Sequence, residues 1–529
     1  MYDDHDVVLA KMLQADGLPG VLVSNRPWRE LSADAITHLV NTQTAIYVRD
    51  SQLVRIQGKE NGSPFLETLT ETILKGILAR RMNFVRTGVK GPTHCAPPDA
   101  MVKDILALGN WPFPPLDSII EFPVVRPDGT LITTPGYDPA TRLYYAPIPS
   151  LQVPPIPEHP TDEDMINAQG LIYEMIGQFP YENKASYANT IALLLTPLVR
   201  QAIAGHVPLA LIDATRPGTG KSLIAETVAL IATGRKATMM TAPYDDDEWR
   251  KRILSTLAEG ATIITIDNIK AKLQSPSLDA ALTAHVFSDR ILGASRNGAY
   301  PQRATWMATG NNLQVGGDLP RRCYWIRMDA RTAKPWTRSG FKHDLETWVP
   351  AHRGELIAAL LTLIRGWYDA GKPAMKVPIK MGSFQSWVDT IGGILEHCYV
   401  EDFLGNIQTL QEQDEDALQW AAFLHAWRAH YKDDQILSSI LARDIKIGST
   451  SDDDSATTMA GLYNALPDDL TDIHKGDFKR RLGKALSYRV GTRFDDSGLY
   501  LVKGEPDKRS GAVFWSVAAP PLEETIDPS

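Results

Sequence analysis

Residues 208–234, PLALIDATRPGTGKSLIAETVALIATG, decide the architecture of the chain. Leu209–Ile212 is a short apolar run of the kind that a parallel strand covered on both faces requires. TRPGTGKS at 215–222 is a Gly-rich turn, and Leu223–Ala232 reads as a helix closed by Gly234 at its C-cap. Strand, Gly-rich turn and helix in this order aim backbone N–H groups and a helix N-terminus at one point, which suits phosphate. The turn matches G-x-x-x-x-G-K-[ST] except at its first position, Thr215. Within Pro217, Gly218, Thr219 and Gly220, the glycines let successive N–H groups converge. Lys221 brings a positive charge to β/γ oxygens, and Ser222 offers a hydroxyl to Mg²⁺. ATP and Mg²⁺ are therefore the expected ligands.

Such a site needs a carboxylate on a neighbouring strand to hold the metal with Ser222. The apolar run from Ala261 ends in Asp267, which supplies it; the plainer reading is an Asp capping a helix after a strand. The next residue is Asn268, where many such sites have a glutamate to polarise the attacking water. Either another carboxylate is the base, or Asn268 merely orients the water. A third strand, Ala304–Thr309, leads to Asn311 and Asn312. Asn311 is placed to sense a γ-phosphate or position water at the crevice edge, and Asn-Asn is also ordinary turn chemistry. Arg321 and Arg322 follow, two forked donors suited to phosphate, including phosphate on a neighbouring subunit.

The chain has 529 residues, enough for two to four domains. Its 43% hydrophobic and 22% charged residues fall in the globular range and exclude a wholly disordered, collagenous or coiled-coil chain. With 54 Lys and Arg against 63 Asp and Glu the net charge is −9, so a polyanion is held only by a local basic patch. Three cysteines, Cys95, Cys323 and Cys398, form no CxxC pair. The odd count fits a reducing compartment, and His94-Cys95 and His397-Cys398 each lack two of the four ligands that zinc takes. No apolar run approaches the ~20 residues of a membrane span. MYDDHDVV lacks a basic n-region, so a cytoplasmic location and no membrane partner are expected.

Four segments are expected. Residues 1–146 read as an α+β domain, with one amphipathic helix over Phe65–Arg81 and a hairpin turning at Arg126–Gly129. Residues 147–160 hold six prolines in fourteen positions, a stiff linker. Residues 161–372 alternate strand and helix, the pattern of a parallel α/β core. Residues 376–529 are helix-rich, and around 460–518 a helix followed by a hairpin is the layout of a winged helix. The acidic stretches Asp245–Glu248, Gln411–Asp416 and Asp452–Asp454 read as solvated faces or loops. Trp420, Phe423 and Trp427 recur at three and four residues and read as core.

PGTGKS, ITIDN, ATGNN and DLPRR, in this order and spacing, resemble the AAA+ ATPases of the superfamily 3 helicase type, and among them the primase-helicase proteins of phages, plasmids and genomic islands. EFPVVRPDGTLITTPGYDPATRLYY and SFQSWVDTIGGILEH, with FLGN after it, are similar to segments flanking that core in the family. The resemblance implies an α/β fold with a P-loop AAA+ core, and a ring, usually a hexamer, that hydrolyses ATP between subunits and moves on single-stranded or forked DNA. It makes Lys221 and Ser222 the Walker A pair, Asp267 the Walker B carboxylate and Asn311 the sensor. Arg322, or its neighbour Arg321, becomes the finger that reaches the next subunit. With no carboxylate pair of a primase or polymerase upstream, that activity is expected on a separate chain, and residues 1–146 are expected to serve assembly or DNA loading. The alternative is an ATP-assembled DNA-binding initiator, or a ring ATPase switch without unwinding.

Two elements are candidates for DNA contact. Asn297-Gly298 between strand-like runs signals a hairpin; the resemblance makes it the one that grips DNA, with Arg296 at or beside the tip and Tyr300 nearby for stacking. A plain surface hairpin with a solvated arginine is the other reading. In the C-terminal region Phe478, Leu482 and Leu486 recur every four residues, so a helix buries them and shows Lys479, Arg480 and Lys484. That basic helix is either a groove-binding element or a solvated face.

Overall fold

The computed structural model describes residues 3–58, 62–290, 297–411, 415–449, 458–495, 497–507 and 511–519. Arg296 and the acidic stretch 452–454 lie outside the described residues. The chain forms two compact units. One takes the residues up to 271 together with 275–313 and 322–405; the other takes 272–274, 314–321 and those from 406 onward.

At the centre of the first unit lies a five-stranded sheet. Helices α1 (Asp162–Ile176) and α2 (Lys184–Val199) precede strand β1 (Leu209–Ala214). Then come α3 (Lys221–Thr233), β2 (Met239–Thr241), α4 (Asp246–Ala258), β3 (Ile263–Ile269) and α5 (Pro276–Leu282). A hairpin of β4 (Val286–Arg290) and β5 (Asn297–Pro301) leads to β6 (Thr305–Asn311) and β7 (Cys323–Met328). The order across the sheet is β2–β3–β6–β1–β7, and each neighbouring pair is parallel. Every residue of β1 is buried, as its apolar run requires of a strand with both faces covered. The helices begin at side-chain caps: Thr161 closes a capping box with Asp164, and Asn183 and Asp245 accept from Ser186 and Glu248.

Beyond the sheet run α6 (Leu345–Ala351), α7 (Arg353–Asp369) and α8 (Gln385–His397). Residues 376–405, grouped by sequence with the C-terminal region, belong to this first unit. The reason is α8, whose buried Trp387 donates to Thr196 Oγ1 of α2 at 2.9 Å and packs 4.8 Å from the Tyr324 ring of β7.

The segment before residue 147 is α+β, with helices Trp28–Asn41, Glu71–Arg81 and Asp99–Ala107 over a core that includes Leu31, Leu74 and Phe84. The single helix expected over Phe65–Arg81 is corrected. Pro64–Thr68 is a strand paired antiparallel with Gln52–Gly58, and the helix starts at Glu71, where Thr70 caps it by accepting from the Ile73 N–H at 3.3 Å. The turn at Arg126–Gly129 joins Val124–Val125 to Leu131–Ile132, antiparallel. Two buried arginines tie this segment to the core. Arg49 donates to the Leu257 and Ala258 carbonyls at the end of α4, at 2.8 and 2.6 Å. Arg353 donates to the Ile231 carbonyl of α3 at 2.9 Å and to the Glu121 carbonyl at 3.0 Å. A cation at a helix C-terminus meets the negative end of its dipole. Burial pushes the Arg353 guanidinium down to about 10. Residues 147–160 carry no helix or strand.

The second unit contains α9 (Glu415–Tyr431), β8 (Ile436–Leu437), α10 (Ser438–Gly448), α11 (Thr458–Asn464), α12 (Phe478–Tyr488), β9 (Tyr500–Pro506) and β10 (Val513–Ala518). The strands form an antiparallel sheet in the order β8–β10–β9. Trp420, Phe423 and Trp427 lie in its core with Phe478, Leu482 and Leu486. Among the described residues no helix is long and apolar enough to cross a membrane.

Candidate functional site

The turn between β1 and α3 is built on two left-handed glycines, Gly218 at φ +78° and Gly220 at φ +107°. An L side chain is strained at such angles, so the sequence spends glycine there. Thr215, which departs from the motif, lies outside the left-handed region. Its N–H still pairs with the Met328 carbonyl at 3.4 Å, and its hydroxyl donates to Asp329 at 3.3 Å. The chain at 215 is thus still part of the sheet edge, where glycine is not required. Pro217 is exposed, whereas Thr219 is buried and its hydroxyl donates to the Arg216 carbonyl.

Lys221, the first residue of α3, is only 8% exposed, and its ammonium donates to Asn311 Oδ1 at 2.7 Å. Burial lowers its pKa, while Asp213 and Asp267 work in the opposite direction. Ser222 Oγ lies 3.5 Å from Asp267 Oδ1, the far end of β3. The four residues Lys221, Ser222, Asp267 and Asn311, separated by up to 90 positions, thus meet at the carboxyl edge of the parallel sheet, where open α/β sheets bind ligands.

Two further residues, not singled out from sequence, complete the cluster. Thr309 of β6 is buried; its hydroxyl donates to Asp267 Oδ1 at 2.6 Å and accepts from the Asn268 N–H at 3.0 Å. Asn268 sits at φ +57°, and the β3–β6 register shifts between Ile266 and Ile269. That bulge re-aims the strand end, so Asp267 faces Ser222 and Thr309 together. The second is Asp213, wholly buried in β1, whose Oδ1 accepts from the Leu313 N–H at 3.0 Å. Burial raises its pKa, and it stands close enough to Lys221 for the two charges to interact. One acid inside the apolar run ALIDA was the signal available in the sequence.

The two arginines differ. Arg322 points inward, donating to the Asp279 carbonyl and the Thr283 hydroxyl, both at 2.7 Å. Arg321 has a side chain 70% exposed, paired with Asp318. The hairpin expectation is corrected in two respects. Asn297 and Gly298 are strand residues, opposite Arg290 and Asp289, and do not themselves form the turn. Tyr300 is buried at 9% exposure with the Arg49 guanidinium 5.0 Å over its ring, so it offers no free face for stacking. In the second unit, Lys479, Arg480 and Lys484 are exposed on α12, opposite buried Phe478, Leu482 and Leu486.

No protein-family model matches the chain, and no curated protein matches it. Solved structures do. The A-form apo structure of the NrS-1 C-terminal region is similar at a TM-score of 0.43 and 11% identity, over 91% of this chain and 99% of that one. Cch of SCCmec type IV, an active helicase, is similar at a TM-score of 0.33 and 12% identity, over 80% of this chain and 90% of that one.

Proposed function

We propose that the chain is an ATP-dependent DNA helicase of a phage or other mobile element, hydrolysing ATP between the subunits of a homo-oligomeric ring. The observation that carries this reading is the meeting of Lys221, Ser222, Asp267 and Asn311 beside two left-handed glycines at the sheet's carboxyl edge. The donors fit the ligands. Gly218 and Gly220 open the backbone to a triphosphate, Lys221 supplies a cation in a site of low exposure, and Ser222 with Asp267 offers two hard oxygens suited to Mg²⁺. Bound Mg²⁺ neutralises charge on the β- and γ-phosphates.

The chain's own residues then do the following. Lys221 holds phosphate oxygens, its charge balanced by Asp213 and Asp267. Thr309 fixes the Asp267 carboxylate, as outer partners of metal ligands do. Asn311 orients Lys221 and faces the γ-phosphate or the attacking water. Arg321, exposed where Arg322 is engaged within its own subunit, is the arginine offered to a neighbour's nucleotide. DNA contact falls to the β4–β5 hairpin and to the basic face of α12, the groove helix of a winged-helix module.

One observation favours a second reading, an initiator or switch that uses ATP to assemble. Asn268 is exposed where an acid would polarise water, and an amide takes no proton. ATP turnover with and without single-stranded DNA separates the two. Turnover stimulated by DNA and abolished by Lys221→Ala supports the helicase; binding of ATP and DNA with negligible turnover supports the initiator.

A further inference from the structure

Beside the glycine turn lies a cavity of about 640 Å³ that neither the motif nor the catalytic cluster accounts for. It is lined by Met175, Phe179, Leu223, Trp336 and Phe341, together with Gly218–Gly220 of the turn. Leu223 directly follows Ser222, so the cavity begins where the phosphate-facing residues end. Trp336 and Phe341 belong to the strap that runs from β7 to α6; they are 62% and 51% exposed, and the Arg338 guanidinium lies 5.2 Å over one face of the Phe341 ring, leaving the other face for a ligand. Large aromatic rings left open to water beside a cavity of this size are a cost that a stacked ligand removes.

The strap is held in place by polar contacts among residues that also line the cavity: Glu174, Gln178, Arg338 and His343. Arg338 donates to the Gln178 carbonyl and the Lys342 N–H donates to Gln178 Oε1, both at 2.8 Å. Lys342 and His343 both engage Glu174, each at 2.6 Å. These bonds leave the aromatic rings facing the cavity. The strap also leans on the turn itself: a Cβ built on Gly218 would lie 3.0 Å from Trp336 Cβ, and one on Gly220 3.0 Å from the Phe179 ring.

We propose that this cavity takes the purine base of the nucleotide, with Trp336 and Phe341 as its stacking faces and the 329–344 strap as its wall. The proposal rests on the nucleotide-site reading above. Pockets of this volume, mostly apolar with a few fixed polar groups, are of the kind that bind small ligands. A bicyclic base covers more aromatic surface than a single ring does, so the pocket favours purine over pyrimidine nucleotides.

Equilibrium binding of ATP and of inorganic tripolyphosphate, which carries the phosphates without a base, tests this on the full chain. Trp336→Ala and Phe341→Ala are each expected to weaken ATP about tenfold or more and to leave tripolyphosphate unchanged, with Trp336→Phe restoring most of the loss. Lys221→Ala is expected to weaken both ligands. Unchanged ATP affinity in both aromatic variants overturns the base pocket, even where Lys221→Ala confirms the phosphate site. Equal loss of ATP and tripolyphosphate in Trp336→Ala also overturns it, since that makes Trp336 a support for the turn. If native protein binds neither ligand, the nucleotide-site reading itself fails.

Discussion

Lys221 Nζ donates a 2.7 Å hydrogen bond to Asn311 Oδ1, joining the first residue of α3 to the last residue of β6. Ninety positions apart in sequence, the two are brought together because β1 and β6 are neighbours in register, with Ala214 opposite Asn311. The bond makes Asn311 the partner that sets where the ammonium points.

Replacing Asn311 with Ala is therefore expected to lower turnover more than binding. Removing one preorganised polar group of this sort costs about 10²-fold in kcat. Steady-state ATPase rates alongside equilibrium ATP binding check it; an unchanged kcat contradicts the role.

Thr309→Val keeps the shape and removes the hydroxyl that donates to Asp267 and accepts from Asn268. The Mg²⁺ concentration for half-maximal ATPase is expected to rise roughly 10- to 100-fold, the usual effect of losing an outer partner. Thr309→Ser, which retains the hydroxyl, is expected to recover it. Magnesium titrations of the three proteins decide the matter.

The strands and helices around 208–234 were legible because apolar runs bounded by a Gly-rich turn admit one arrangement. Lys221, Ser222, Asp267 and Asn311 sit at ends of such runs, where side chains face a crevice. Thr309 and the left-handed Asn268 were not legible, because their pairing comes from a register shift between β3 and β6. Phe65–Thr68 departs from the helical expectation because Leu66 and Leu69, three apart, satisfy a helical spacing although Pro64–Thr68 pairs as a strand with Gln52–Gly58 and Leu69 lies beyond its end. Asn297-Gly298 carries a turn signal but lies in a strand, because the partner strand extends to Arg290. Trp336 and Phe341 stand in a segment without periodicity, so only their place around the cavity that Gly218 also lines gives them meaning.

Glu174 anchors the strap through Lys342 and His343, whose hydrogen bonds hold its carboxyl below the usual glutamate value of 4.5. A lowered folded-state value means that its contribution to stability is present above about pH 4.5 and disappears as pH falls through the lower folded value. The difference in melting temperature between the native chain and Glu174→Gln is expected to shrink as pH falls into that window. A gap that widens with acid contradicts the assignment.

On α12, Lys479, Arg480 and Lys484 stand exposed, while Phe478, Leu482 and Leu486 hold the helix in the core of the second unit. Reversing the three basic residues to Glu therefore leaves the packing intact and is expected to weaken single-stranded DNA binding. The slope of log affinity against log salt should fall in magnitude by about 0.7 for each phosphate that the helix no longer neutralises. An unaltered slope removes α12 from the DNA interface.

The central claim is unwinding, and strand displacement on a forked DNA duplex tests it most directly, with ATP and Mg²⁺ and with Lys221→Ala alongside. Displacement by the native protein that requires ATP, and none by Lys221→Ala, is the predicted result. Hydrolysis of ATP and binding of the fork without displacement contradicts the helicase and leaves the initiator or switch.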